Sequence, residues 1–156
     1  AFSRDEDLYV VDSMNHRVQK FTKEGGFLMT WGSFGDGQGG FNMPWGVAVD
    51  GDGDVYVVDW MNERVVIFNA EGQTMATLRG EARGLSKWAE MSINSNPDMG
   101  LARRRVKNPE VQNYFRMPVA CIFDQPTNRL IVCDTHRGRL QIYEKDTGYN
   151  DPQFNL

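Results

Sequence analysis

Tyr56-Val-Val-Asp-Trp-Met-Asn-Glu-Arg-Val-Val-Ile-Phe68 repeats, at nine of its thirteen positions, the earlier stretch Tyr9-Val-Val-Asp-Ser-Met-Asn-His-Arg-Val-Gln-Lys-Phe21. A third, looser copy, Ile131-Val-Cys-Asp-Thr-His-Arg-Gly-Arg-Leu-Gln-Ile-Tyr143, keeps Val132, Asp134 and Arg139 in register. Each copy reads as two strands, rich in β-branched and aromatic residues, joined by a short polar turn. A second element recurs upstream of the later copies. It is Phe41-Asn-Met-Pro44 before Trp45-Gly-Val-Ala-Val-Asp50, and Phe115-Arg-Met-Pro118 before Val119-Ala-Cys-Ile-Phe-Asp124.

The step from Asp12 to Asp59 is 47 residues and that from Asp59 to Asp134 is 75, with the excess between Gly80 and Phe115. A period in the forties, with several short strands per unit, is the pattern of a propeller blade. The middle unit predicts strand A over about Gly46–Asp50 and strand B over about Asp54–Asp59. Strand C follows over about Glu63–Asn69 and strand D over about Gln73–Arg79. Pro44 and Pro118 sit before strand A, where a missing N–H costs no ladder bond.

These residues carry a family resemblance. Pro44-x-Gly46-Val-Ala-Val-Asp50, Val55-Tyr-Val-Val-Asp59 and Asn62-x-Arg64-Val resemble the NHL repeat, and Asn15-His16 followed by Val18-Gln-Lys-Phe21 does so more literally. The linker Trp31-Gly-Ser-Phe-Gly-Asp-Gly-Gln-Gly-Gly-Phe41 resembles that family's blade connector. The third unit departs, with Thr135-His-Arg-Gly138 in place of the Asn-His step. The resemblance implies an all-β propeller of four-stranded antiparallel blades, usually about six to a ring. About three blades are expected here: blade 1 over about 1–32, blade 2 over about 44–80, a helical insertion over about 81–114 and blade 3 over about 115–156. Aligning Asp7-Leu8-Tyr9 with Asp54-Val55-Tyr56 places Ala1-Phe2 at the end of a strand A. Three blades cannot close a ring, so the remaining blades are expected from the same or another chain, a homo-oligomer of half-rings included.

Of the 156 residues, 40% are apolar and 24% charged, the balance of a globular chain. No apolar run approaches the ~20 residues of a membrane span. Ala1-Phe2-Ser3-Arg4-Asp5-Glu6-Asp7 lacks the basic start and apolar middle of a signal peptide, although a leader removed earlier would leave no trace, so the compartment stays open. A formal charge of −4 argues against a nucleic-acid surface. Cys121 and Cys133 fit no zinc spacing; they fall in strands of one sheet and read as two free, buried thiols.

Several chemical-looking motifs have structural explanations. Gly35-Asp-Gly37-Gln-Gly-Gly40 matches a dinucleotide fingerprint in letters only, because another strand follows where a helix is needed. Asp50-Gly-Asp-Gly-Asp54 lacks the glycine and glutamate positions of a calcium loop and reads as a hairpin turn. Asp12, Asp59 and Asp134 recur with Arg17, Arg64 and Arg139 five residues on. One pair per blade is a structural brace, since catalysis needs a unique residue. The two histidines, His16 and His136, are too few for the metal site of a peptidyl-amidating lyase. No catalytic set, metal site or cofactor is expected.

The B–C turns and the D-to-A connectors emerge at the same end of a propeller. The turns here carry Met14 and His16, then Trp60 and Met61, then His136 and Arg137, none of which a turn requires. The insertion predicts a helix over Lys87–Asn94, capped by Ser86, with Trp88 and Met91 turned inward. A second helix is expected to start at Asn108-Pro109-Glu110. Between them lies Leu101-Ala-Arg103-Arg104-Arg105-Val-Lys107. From Arg79 to Lys107, seven basic residues against three acidic ones give +4, leaving about −8 for the rest of a −4 chain. The reading is a non-enzymatic scaffold that binds a protein partner through this turn face and insertion. The alternatives are part of a metal-dependent lyase or hydrolase completed by other blades, and an RNA-binding domain. RNA is not favoured, because aromatics are not interleaved with the arginines.

Overall fold

In the computed structural model, which describes residues 1–82, 84–85 and 87–146, ten strands form three antiparallel sheets. The first contains β1 (Leu8–Asp12), β2 (Arg17–Phe21) and β3 (Phe27–Trp31). The second contains β4 (Pro44–Val49), β5 (Val55–Asp59), β6 (Arg64–Phe68) and β7 (Thr74–Leu78) in sequential order. The third contains β8 (Ala120–Asp124), β9 (Arg129–Asp134) and β10 (Arg139–Glu144). Phe2 bridges Leu8, and Tyr9 N donates to Ala1 O at 2.8 Å, so the first residues lie where the strand A of blade 1 runs.

The middle sheet shows why its strands read as continuous apolar runs rather than alternating ones. Both of its faces are covered. Val55, Val57, Val66 and Phe68 pack on one side with Tyr9, Val18 and Phe41 of the first blade and its connector. Tyr56, Val58 and Val65 pack on the other with Cys121, Leu130 and Val132 of the third. Every residue of β5 is buried. The outer blades have one covered face only. Val10 is exposed on β1, and Ile122, Leu140 and Ile142 are each near 60% exposed on β8 and β10. The inner strands of adjacent blades meet at Gly46, where a Cβ would come within 3.0 Å of Val119 O.

Two expectations need correction, the start of strand A and the burial of both cysteines. Strand A of the middle blade begins at Pro44, not Gly46: Pro44 pairs with Asp59 across a bulge, which an inner edge strand tolerates. The cysteines do not face one another. Cys121 lies opposite Val132 and Cys133 opposite Ala120, so their offset of one puts them on opposite faces. Both are free, but Cys133 is only half-buried, while burial pushes the Cys121 thiol up to about 12.

The insertion holds two helices, α1 (Lys87–Ser95) and α2 (Pro97–Arg104), that pack on each other. The sequence reading missed α2, although Asn96 caps it by accepting the Asp98 N–H and Pro97 occupies its first turn. The start expected at Asn108 yields a 3₁₀ turn, Pro109–Asn113, with no side-chain cap. Met91 is exposed, not turned inward. The Ser86 cap and the placement of the Trp88 side chain lie outside the described residues, as does everything after Asp146.

Candidate functional site

Each B–C turn has the same construction. The residue four after the repeat aspartate takes a left-handed conformation: His16 at φ 53°, Glu63 at 54° and Gly138 at 59°. That explains the third unit's departure, since glycine supplies this conformation without a Cβ penalty. It also fixes which side chains project. Met14, Met61 and His136 occupy one equivalent position and are 75% exposed, 43% exposed and exposed respectively.

The repeat Asp/Arg pairs clamp the connector that precedes each blade. Arg64 Nε donates to Asp59 Oδ2 at 2.7 Å, and its other nitrogens donate to Asp36 O at 2.6 Å, Gly40 O at 2.8 Å and Gly37 O at 3.2 Å. Asp59 Oδ1 accepts the Asn42 N–H at 2.7 Å. Blade 3 repeats this. Arg139 donates to Asp134 at 2.8 Å and to Asn113 O and Tyr114 O, while Asp134 Oδ1 accepts the Arg116 N–H at 2.7 Å. In blade 1, Arg17 donates to Asp12 at 2.8 Å, and Asp12 also accepts from Asn15, which with Arg17 holds its carboxyl below the usual carboxylate range. The asparagine three after the aspartate completes the clamp in blade 2, where Asn62 donates to Gly35 O at 2.9 Å. Arg137 takes that place in blade 3 and reaches Val111 O at 2.8 Å.

The insertion is thereby an enlarged connector. Gly32 and Gly80 both follow a strand D in left-handed conformation, and both lie against the phenylalanine that opens the next repeat, Phe41 or Phe115. At Gly80 the approach leaves no room for a side chain: a Cβ would sit 2.4 Å from Phe115 N. Phe115 N donates to Arg79 O at 2.8 Å, so the insertion starts and ends at one point.

This crossing folds the insertion back over the blade 3 turn and leaves a cleft of about 490 Å³ between them. Arg103 from α2 and His136, Arg137 and Arg139 from blade 3 line it, with Gln112 and Asn113. No carboxylate is among its described lining residues. Arg139 is occupied by Asp134 and backbone carbonyls, and Arg137 Nε is buried without an acceptor among the described residues. The expected candidates thus divide. Arg103, His136 and Arg137 come together; Arg104 and Arg105 are exposed and do not line the cleft. His16 is engaged, because its Nδ1 accepts the Met43 N–H at 3.0 Å and its ring stands edge-on to Phe34.

Trp60 and Met61 belong to a separate patch. The Trp60 ring packs against Trp45, centroids 5.3 Å apart, and Trp45 is 53% exposed. Trp45 escaped the sequence reading. The available signal was its size, for the equivalent position in blade 3 is Val119.

At the opposite end, Lys145 crosses from blade 3 to the Asp50–Asp54 turn of blade 2. Its ammonium lies 2.5 Å from Asp50, 2.7 Å from Asp52 and 3.0 Å from Asp54. Asp50 also accepts the Tyr56 hydroxyl at 2.8 Å. Among the described residues, no group of three or more His, Cys, Asp or Glu side chains is arranged to hold a metal ion. No described helix is long and apolar enough to cross a membrane.

Sheets joined through their inner strands, with B–C turns clamping each D-to-A connector, define part of a β-propeller. The NHL-repeat family model matches residues 41–68, so the chain carries an NHL repeat within that arc. No curated protein matches it significantly. Among solved structures, it is similar to a structural-genomics protein of unknown function from Bacteroides thetaiotaomicron (19% identity, TM-score 0.58, 90% of this chain and 32% of that one). It is also similar to an auxiliary nutrient binding protein from the same organism (12%, TM-score 0.56, 87% and 34%). A third is the calcium-binding protein regucalcin from Agrobacterium tumefaciens (15%, TM-score 0.55, 99% and 48%). The chain therefore spans about a third to a half of the structures it matches, and likeness at this identity establishes the fold alone.

Proposed function

We propose that the chain is a non-catalytic interaction module, a propeller arc that binds a protein partner through the end carrying the B–C turns and the insertion. One observation carries this reading. The repeated polar residues are consumed in bracing connectors, whereas large or charged groups that the turns do not require remain accessible at one end. These are Met14, Trp45, Trp60, Met61, Arg103 and His136. Tryptophan, methionine and arginine are enriched where proteins bind one another. Further blades, from a longer polypeptide or a second copy, cover the open faces around Val10 and Ile122.

Site-specific photo-crosslinking tests the face. A crosslinking residue at Met14 or Met61 is expected to capture the partner, and one at Asp52 or Glu71, at the other end, is not. Trp60→Ala is expected to weaken capture roughly tenfold or more, the scale of an aromatic hot spot. Crosslinks confined to positions 52 and 71, with Trp60→Ala silent, would rule the proposed face out.

A further inference from the structure

Resting on that reading, we infer that the cleft between the insertion and the blade 3 turn is an anion pocket that receives a carboxylate side chain from an acidic segment of the protein partner. The repeat makes the case. In blade 2 the corresponding connector is short and glycine-rich, and the turn residue is a neutral asparagine, Asn62, that donates into that connector. In blade 3 the asparagine is replaced by Arg137, and the connector is widened by a helical hairpin that swings Arg103 to the opposite wall. The replacement is more than a longer tether. One Arg137 nitrogen reproduces the backbone bond, to Val111 O, while its Nε is left buried with no acceptor among the described residues. A buried donor without a partner is costly, and a guanidinium donor prefers a charged acceptor. Arg103 and His136 face the same space, and among the described residues neither side chain has a hydrogen-bond or ion-pair partner.

The charge distribution favours a carboxylate over a nucleic-acid phosphate. About −8 is spread over the chain outside Arg79–Lys107. A phosphate backbone would have to run across that surface. A single acidic side chain need only enter the cleft, and no Phe, Tyr or Trp is among its described lining residues to stack successive bases. Arg104, Arg105 and Lys107, exposed on the rim, lend longer-range attraction to neighbouring acids.

The test titrates the intact chain with a fluorescent acidic hexapeptide of Asp and Glu. A Gln/Asn-matched peptide, inorganic phosphate and a single-stranded oligonucleotide serve as comparators. Binding of the acidic peptide alone is expected, falling steeply with salt. Arg103→Gln is expected to weaken it about tenfold, as is Arg137→Met, from the loss of one charge-assisted contact each. Arg129→Gln, remote from the cleft and on a solvent-exposed ion pair, serves as the control and leaves binding unchanged. The Arg103 side chain makes no hydrogen bond or ion pair to the described residues, so a silent Arg103→Gln in a normally folded chain overturns the assignment, as does tighter binding of phosphate or oligonucleotide. Acidic-peptide binding together with crosslinks at the opposite end would leave the pocket standing and remove the proposed interaction face. Crosslinks on the turn face with unimpaired Arg103 and Arg137 variants would do the reverse.

Discussion

Asp59→Asn is expected to lower the stability of this chain by about 3–5 kcal/mol, the cost of leaving one partner of a buried ion pair uncompensated. Asp59 is fully buried and the Arg64 side chain nearly so. The carboxylate accepts from the guanidinium, from Asn62 and from the Asn42 N–H, while the guanidinium in turn holds three connector carbonyls. A neutral amide strands that charge in the interior and releases the connector. Chains of this size have a total stability of ~5–15 kcal/mol, so the loss is a large share of it. The three braces, chemically alike, grade by burial. Asp134→Asn is expected to cost less, because Arg139 is 19% exposed, and Asp12→Asn to leave the urea midpoint nearly unmoved, because Arg17 is 40% exposed. The double replacement Asp59→Leu with Arg64→Met should recover most of the loss, since it removes both charges. Equal midpoint shifts in all three single variants would show that the braces act through something other than burial.

Lys145→Met is expected to cost a similar amount, about 3–5 kcal/mol, with a distinct dependence on pH. The lysine is buried, as are Asp50 and Asp54, so removing the ammonium leaves carboxylates facing one another in the interior. The variant's deficit therefore shrinks as pH falls through the carboxylate range. At the alkaline end the sign runs the other way. Burial by itself would lower the lysine pKa; hydrogen bonds to Asp50, Asp52 and Asp54 outweigh it and raise the value above the ordinary 10.5. A raised folded-state pKa means that the contribution is complete below about pH 10.5 and is lost as pH climbs further. The stability difference between wild type and Lys145→Met should be flat across neutral pH and close above pH 10.5. Denaturation series across that range measure it, and a gap that widens with alkaline pH would contradict the assigned pairing.

The legible part of this chain was the part that repeats. Tyr9–Phe21 and Tyr56–Phe68 announce paired strands, and the phased Asp/Arg pairs announce one brace per blade. Their role followed from number alone: three copies of a charge pair serve the architecture. The Asp50–Asp54 turn was read correctly as a hairpin, but its Lys145 partner lies 95 residues away and only the packing of blade 3 on blade 2 reveals it. Helix α2 was obscured because Gly100 and three consecutive arginines mask a sound start at Asn96-Pro97. The cleft was illegible for a topological reason. Arg103 and His136 are far apart in the chain and meet because Gly80 and Phe115 cross at backbone contact. His16 and Trp45 show the limits of composition: a histidine that looked available is spent on Met43, and a tryptophan at a variable repeat position stands open beside Trp60.

The central claim is that the repeats supply the architecture and the enlarged connector supplies the specific function. Exchanging residues 81–114 for the sequence of 33–40 tests it most directly, because both segments join a left-handed glycine to the next phenylalanine and present carbonyls to the blade's arginine. The exchanged chain is predicted to keep its β-sheet circular dichroism and a cooperative urea transition, while losing affinity for the acidic hexapeptide. Retained peptide binding would place the anion site elsewhere, and failure to fold would show that the insertion is part of the architecture itself.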